Sequence, residues 1–152
     1  MIAVRPATSD DARFVWEVNS HPSVREQSIR TEPIPWESHV RWFERALANE
    51  AMLMLVAEDD GHPVAVVRFQ ATPEGALISV AVAPGARGRG IGTRVIEEAT
   101  RRAAERKMGA VAIALVRPSN AASLRAFSAA GYAPAGRVTE EGVELDRLER
   151  RL

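Results

Sequence analysis

Gly88, Gly90 and Gly92, flanked by Arg87 and Arg89, are the part of this 152-residue chain best suited to chemistry. Glycine has no Cβ to hold a ligand away from the backbone, so successive amides can turn toward one point. Helical period begins at Ile91, and the first turn of a helix leaves up to about four N–H groups without intrahelical partners. These amides would form an anion nest. The helix dipole adds roughly 0.3–1 kcal/mol there, and a charge-assisted hydrogen bond from Arg87 or Arg89 about 1.5–3 kcal/mol. A diphosphate is the ligand that fits. Glycines alone would serve equally well as a mobile turn between strand and helix, and the paired arginines favour the anion. Spacing excludes two nucleotide-binding loops. A phosphate loop needs Lys and then Ser or Thr after its last glycine, whereas Gly92 is followed by Thr93-Arg94. The dinucleotide fingerprint Gly-x-Gly-x-x-Gly does not fit glycines at 88, 90 and 92.

The elements that must hold this loop can be read on either side of it. Ile2 to Arg5 is a short strand stopped by Pro6, and Thr8 or Ser9 caps a helix with Asp10 and Asp11 in its first turn. Pro22, Pro33 and Pro35 keep 21–35 from forming one helix, so it reads as a loop around a short helical turn. Trp36 to Ala48 regains helical period, with Trp36, Val40, Phe43 and Leu47 on one side. Leu53–Ala57 and Val64–Phe69 form a hairpin across Asp59-Asp60-Gly61, and Ala76–Ala83 follows as a third antiparallel strand. After the loop, Ile91, Val95, Ala99 and Ala103 repeat every four residues in a helix running to Lys107. Val111–Leu115 is a strand, Asn120–Ala130 a helix closed by Gly131, and the chain ends in a hairpin about Glu141-Gly142.

Composition narrows the function classes. Twenty basic residues balance twenty acidic ones without a like-charge block, so no nucleic-acid face is expected. The absence of cysteine removes disulfides, thiolate metal sites and a cysteine nucleophile. His21, His39 and His62 lack metal-ligand spacing, so no metal is expected. No window has the roughly 18 apolar residues of a membrane span, and no signal-peptide core is evident; a single cytoplasmic domain over 1–152 is the expectation.

The segment Val82 to Gly92 resembles the acyl-CoA loop of the GNAT superfamily of N-acetyltransferases, with Arg87, Gly90 and Gly92 at the motif positions. Asn120-Ala121-Ala122-Ser123-Leu124, Phe127 and Gly131-Tyr132 resemble that family's second signature. The resemblance implies an α/β (α+β) fold: a mixed, mostly antiparallel sheet of six to seven strands with about four flanking helices. The sheet would splay in a V where Ala76–Ala83 parts from Val111–Leu115. It implies acetyl-CoA as acetyl donor, pairing along Val80, Ala81 and Val82, with its pyrophosphate on Arg87, Gly88, Arg89, Gly90, Ile91, Gly92 and Thr93. Asn120, Ser123 and Phe127 would complete that site, although Asn120 and Ser123 also suit plain N-capping. Ser79, Ala81 and Ala83 either keep the groove clear or are ordinary close packing.

The resemblance fails at the proton-handling positions. The family's usual acid is a tyrosine where this chain has Phe127, and its frequent glutamate falls at Leu77. Glu74, Glu26 and His39 remain as catalytic candidates, each with a structural role as the alternative. Arg68 and Gln70 share a strand face with Val64 and Val66, which makes Arg68 a candidate for an anionic substrate. The N-terminal half looks like the branch acting on nucleotide-linked amino sugars and overlaps the branch acetylating ribosomal-protein N-termini. Arg30, Trp36 and Arg68 are the substrate-binding candidates. The expected partner is a small-molecule or peptide amine, without nucleic acid or membrane, and with a homodimer left open. A non-catalytic acyl-CoA-binding module is the alternative from another class.

Overall fold

Asp60 and Gly61, both at positive φ (50° and 85°), make the tight turn that folds strand β2 (Met52–Asp59) onto β3 (His62–Thr72). Such a turn matches strand twist, and it fixes the register Asp59 to His62 at the hairpin end. The computed structural model describes residues 1–152, in which β2 and β3 sit among seven strands. The other strands are β1 (Ile2–Pro6), β4 (Gly75–Val82), β5 (Val111–Val116), β6 (Ala133–Glu140) and β7 (Val143–Arg151). They lie in the order β1-β2-β3-β4-β5-β7-β6, and only β4 and β5 are parallel. Five helices flank them: α1 (Ala12–Ser20), α2 (Pro22–Arg25), α3 (Trp36–Ala48), α4 (Ile91–Glu105) and α5 (Ala121–Ala129). This is the mixed, mostly antiparallel sheet expected from the sequence.

The four-residue apolar repeat of α4 decides the larger core. Ile91, Val95, Ala99 and Ala103 are each at most 3% exposed and pack with Leu55, Val67, Phe69 and Ile78 of the sheet. Each fully buried Leu, Ile, Val or Phe contributes about 1.5–3 kcal/mol. On the opposite face α1 supplies Val15 and Val18 and α3 supplies Phe43 and Ala46, over Met54, Val66 and Ala81. Ala81 thus belongs to the packing beneath α1 and α3. Helix α4 stops two residues short of the sequence expectation, because Lys107 turns to φ 54°. The β1-to-α1 turn is held by Asp11, which accepts from Arg5 twice at 2.8 Å and from the Thr8 amide at 2.8 Å. The Arg5 guanidinium holds the Asp11 carboxyl below its usual range.

Strands β4 and β5 touch for only three pairs: Ala76 with Ala112, Leu77 with Ile113, and Ile78 with Ala114. They meet at Gly75, where an added Cβ would lie 2.5 Å from the Val111 carbonyl oxygen. From Ser79 onward β4 has no neighbour on that side. The sheet opens there as expected, toward the N-terminus of α4.

Candidate functional site

The Ala83 amide donates to the Val64 carbonyl at 2.8 Å, so alternate residues of β4 bond β3. By the alternation of an antiparallel pair, the N–H and C=O groups of Val80 and Val82 then face the open edge. Arg87 Nε donates to the Val82 carbonyl at 3.2 Å and occupies part of that edge. Gly88 and Gly90 take φ 77° and 72°, which a side chain would strain, and Gly90 ends the loop as the left-handed N-cap of α4. The amides of Gly88, Arg89 and Gly90 make no backbone hydrogen bond, and the first helical bond is that of the Arg94 amide to the Gly90 carbonyl. The amides of Ile91, Gly92 and Thr93 precede it and have no acceptor within the helix. The first turn of α4 also lacks any acidic residue to cap it.

This loop is one wall of a cleft of about 1150 Å³. Val80, Ala81, Val82, Arg87, Gly88, Gly90, Ile91, Gly92 and Thr93 line it, and so do Asn120, Ser123 and Phe127 from α5. Asn120 caps α5, its Oδ1 accepting from the Ser123 amide at 3.2 Å. Arg89 stands apart from the cleft: its guanidinium bonds Asp59 at 2.5 Å.

The facing wall is the segment from α1 to α3. Arg25 organises it, donating to the carbonyls of Asn19 (2.7 Å) and Arg30 (3.0 Å) and to Ser28 Oγ (3.2 Å). Two long-range contacts fasten the segment across the sheet opening. Arg117, just past β5, donates twice to the Ser28 carbonyl, and Arg30 forms a bidentate pair with Glu141 of the β6–β7 turn. Sequence reasoning missed both Arg117 and Glu141. Glu141 was legible only as half of a turn, and nothing local signals a partner 111 positions away.

The catalytic candidates divide. Glu74 lies outside the cleft and pairs with Arg147 at 3.0 Å. Glu26 lines the cleft on its exposed side and bonds nothing. His39 reaches the lining, but it is 3% exposed, stacked against Trp36 and Phe43, with Nε2 donating to the Ala12 carbonyl at 2.8 Å. Burial pushes its pKa down. Trp36, a substrate candidate, instead packs edge-on against Trp16 at 5.2 Å and does not line the cleft. Trp42 does, carrying the Arg68 guanidinium 5.2 Å from its ring centroid. Arg68 is half-buried with no hydrogen bond or ion pair, and burial lowers its pKa.

Residues 15–132 match the Acetyltransferase (GNAT) family. The chain belongs to this GNAT family. No curated protein matches it in sequence. Among solved structures, a ribosomal-protein-alanine N-acetyltransferase from Brucella melitensis superposes with TM-score 0.84 at 25% identity, covering 99% of each chain. A spermidine N-acetyltransferase from Vibrio cholerae, in complex with CoA and spermine, gives TM-score 0.87 at 15% identity over 99% of this chain and 95% of that one. An aminoglycoside acetyltransferase in complex with coenzyme A gives 0.84 at 16% identity, over 99% and 95%. In this GNAT protein Phe127 is buried edge-to-face against Tyr132. Tyr132 is the chain's single tyrosine, bonded to Thr100 at 2.7 Å and pushed up to about 12 by burial. It does not line the cleft, so it does not take the place of a hydroxyl at position 127.

Proposed function

We propose that this GNAT protein transfers the acetyl group of acetyl-CoA directly to a primary amine, with the cofactor seated between β4 and α5. The observation that carries this is the run of amides from Gly88 to Thr93 without acceptors, beside an open strand edge at Val80 and Val82. Those amides and Arg87 would hold the pyrophosphate, and the edge would pair with the pantetheine amides. Bound acetyl-CoA supplies an activated thioester. The amine nitrogen attacks its carbonyl carbon, the C–S bond breaks, and the amine proton leaves through Glu26 or water. Thiols titrate near about 8.5, so the departing thiolate is a weak base that solvent can protonate without a tyrosine.

For the acceptor, we favour a nucleotide-linked amino sugar. Five arginines (Arg25, Arg30, Arg68, Arg87 and Arg125) line the cleft against two glutamates (Glu26 and Glu141), in a chain whose net charge is zero. That segregation supports a ligand with negative charge beyond the cofactor loop. The 25% identical ribosomal-protein-alanine N-acetyltransferase supports a second reading, a polypeptide N-terminus. No helix is long and apolar enough to cross a membrane. The test is thiol release from acetyl-CoA with nucleotide-linked amino sugars and with short peptides. Turnover on the sugars alone supports the first reading and turnover on peptides alone the second. Tight acetyl-CoA binding without turnover on any amine would instead mean an acyl-CoA-binding module.

A further inference from the structure

Each arginine of the cleft except two already has a partner. Arg25 donates to backbone carbonyls, Arg30 pairs with Glu141, and Arg87 uses its Nε on the Val82 carbonyl beside the loop that would take the pyrophosphate. Arg125 has none but stands exposed on α5, where solvent satisfies it. Arg68 alone is both half-buried and unbonded. It rises from β3 directly opposite Ser79 of β4, the first residue past the last β4–β5 pair, so it stands beside the point where the sheet opens. Asn19, Trp42, Met54 and Val66 surround it. No carboxylate is among these neighbours, and the nearest charge of consequence is the like charge of Arg25. A half-buried guanidinium held on a tryptophan face, repelled by a second guanidinium and bonded to nothing in the fold, is prepared for a planar oxyanion supplied from outside it.

We propose that Arg68 binds an anionic group of the acceptor, a phosphate or a carboxylate, and thereby selects amines that carry one. This rests on the amine-acetylation reading and narrows its substrate class. Polyamines, and amino sugars that carry no phosphate or carboxylate, would lack the anchor. Trp42 positions Arg68 through its ring face, and Arg25, with most of its donors already bonded, adds positive field.

The test uses the full chain saturated with coenzyme A, so that the cofactor loop is filled. Calorimetry with inorganic pyrophosphate and with succinate reads the anion site itself, and expected binding to the wild type should weaken at least tenfold in Arg68→Gln. Steady-state kinetics with glucosamine against glucosamine 6-phosphate, and alaninamide against alanine, then compares phosphate with carboxylate as the source. The anionic member of the matching pair should have at least tenfold higher kcat/KM, carried mostly by KM, and Arg68→Gln should erase that preference while acetyl-CoA affinity stays the same. Arg68→Lys, which keeps charge and stem, should retain part of it and serves if the glutamine variant fails to fold. Anion binding that depends on Arg68 without acetylation of any amine would sustain the anion site and remove the amine reading. Amine turnover whose charge preference is the same in wild type and variants would overturn the role of Arg68.

Discussion

The two walls of the cleft are built from different materials. The cofactor wall is mostly backbone: an unpaired strand edge at Val80 and Val82 and a loop whose amides from Gly88 to Thr93 lack acceptors. The acceptor wall is mostly side chain, and its polar groups largely bond one another, through Arg25, Arg117, and Arg30 with Glu141. A backbone-built wall depends on φ and on the absence of side chains, so any chain with that geometry can serve it. A wall of side chains can be rewritten residue by residue. On the proposed function, one wall would fit a ligand shared across the family while the other would carry the selectivity of this chain.

The largest expected effect comes from removing Phe127, which belongs to the buried core and to the cofactor wall at once. Phe127→Ala should cost about 3–5 kcal/mol in urea unfolding. A cost below about 1 kcal/mol would show that the ring is a loose lining group. Phe127→Tyr sharpens the same point: if solvent protonates the thiolate, turnover should keep its pH profile, and a shifted alkaline limb would show that protonation limits the rate.

Gly92→Asp separates the backbone wall from the fold. Gly92 is the second residue of α4, and an added Cβ would meet only the Ala126 Cβ at 3.8 Å and Val82 at 3.9 Å, ordinary contacts. An acidic residue in the first turn should stabilise the helix by roughly 0.3–1 kcal/mol. The same charge should repel a pyrophosphate and weaken acetyl-CoA binding at least tenfold. A rise in melting temperature together with unchanged affinity would place the pyrophosphate elsewhere.

The acceptor wall has a pH signature of its own. Burial lowers the pKa of His39 in the folded chain, whereas the unfolded chain takes up that proton near about pH 6.5. The stabilisation is therefore complete above about 6.5 and declines as pH falls toward the folded value, because the unfolded state then binds more protons. Asp11, also lowered, acts in a more acidic window below about 3.9. In His39→Gln, which keeps a donor toward the Ala12 carbonyl, the fall in melting temperature between about pH 7 and about pH 5.5 should be reduced. An equal fall would assign the dependence to another group. The smallest effect belongs to the Arg30–Glu141 pair, whose side chains are 74% and 52% exposed. Arg30→Gln should leave the urea-unfolding midpoint nearly unchanged, and a clear drop would mean that this tie is what closes the wall.

The two walls also differed in how legible they were. Helix α3 begins after Pro35 and the α4 loop ends at Gly90, and both limits follow from local chemistry that the sequence displays. The hairpin at Asp60-Gly61 and the cap at Asn120 are local in the same sense. Two-residue alternation correctly put Arg68 on the face of Val66, but not on that of Val64, which packs with the α4 core because an irregularity in the β2–β3 register skips it. Contacts made by distant residues were not legible: Arg89 turning to Asp59, Glu74 to Arg147, and Arg30 to Glu141 each depend on how separate elements dock. Trp36 illustrates the same limit, since its spacing suited either a stacking surface or packing, and in the fold it meets Trp16 edge-on outside the cleft while staying 37% exposed.

The central claim is that the loop from Gly88 to Thr93 holds acetyl-CoA through its backbone. Amide chemical shifts of the ¹⁵N-labelled protein, followed as acetyl-CoA is added, report on this directly. The amides of Gly88 to Thr93 and of Val80 and Val82 should move together along one saturation curve, while those of Gly61 and Gly142 in the hairpin turns stay in place. Saturable binding that leaves the Gly88 to Thr93 amides unshifted would contradict the account.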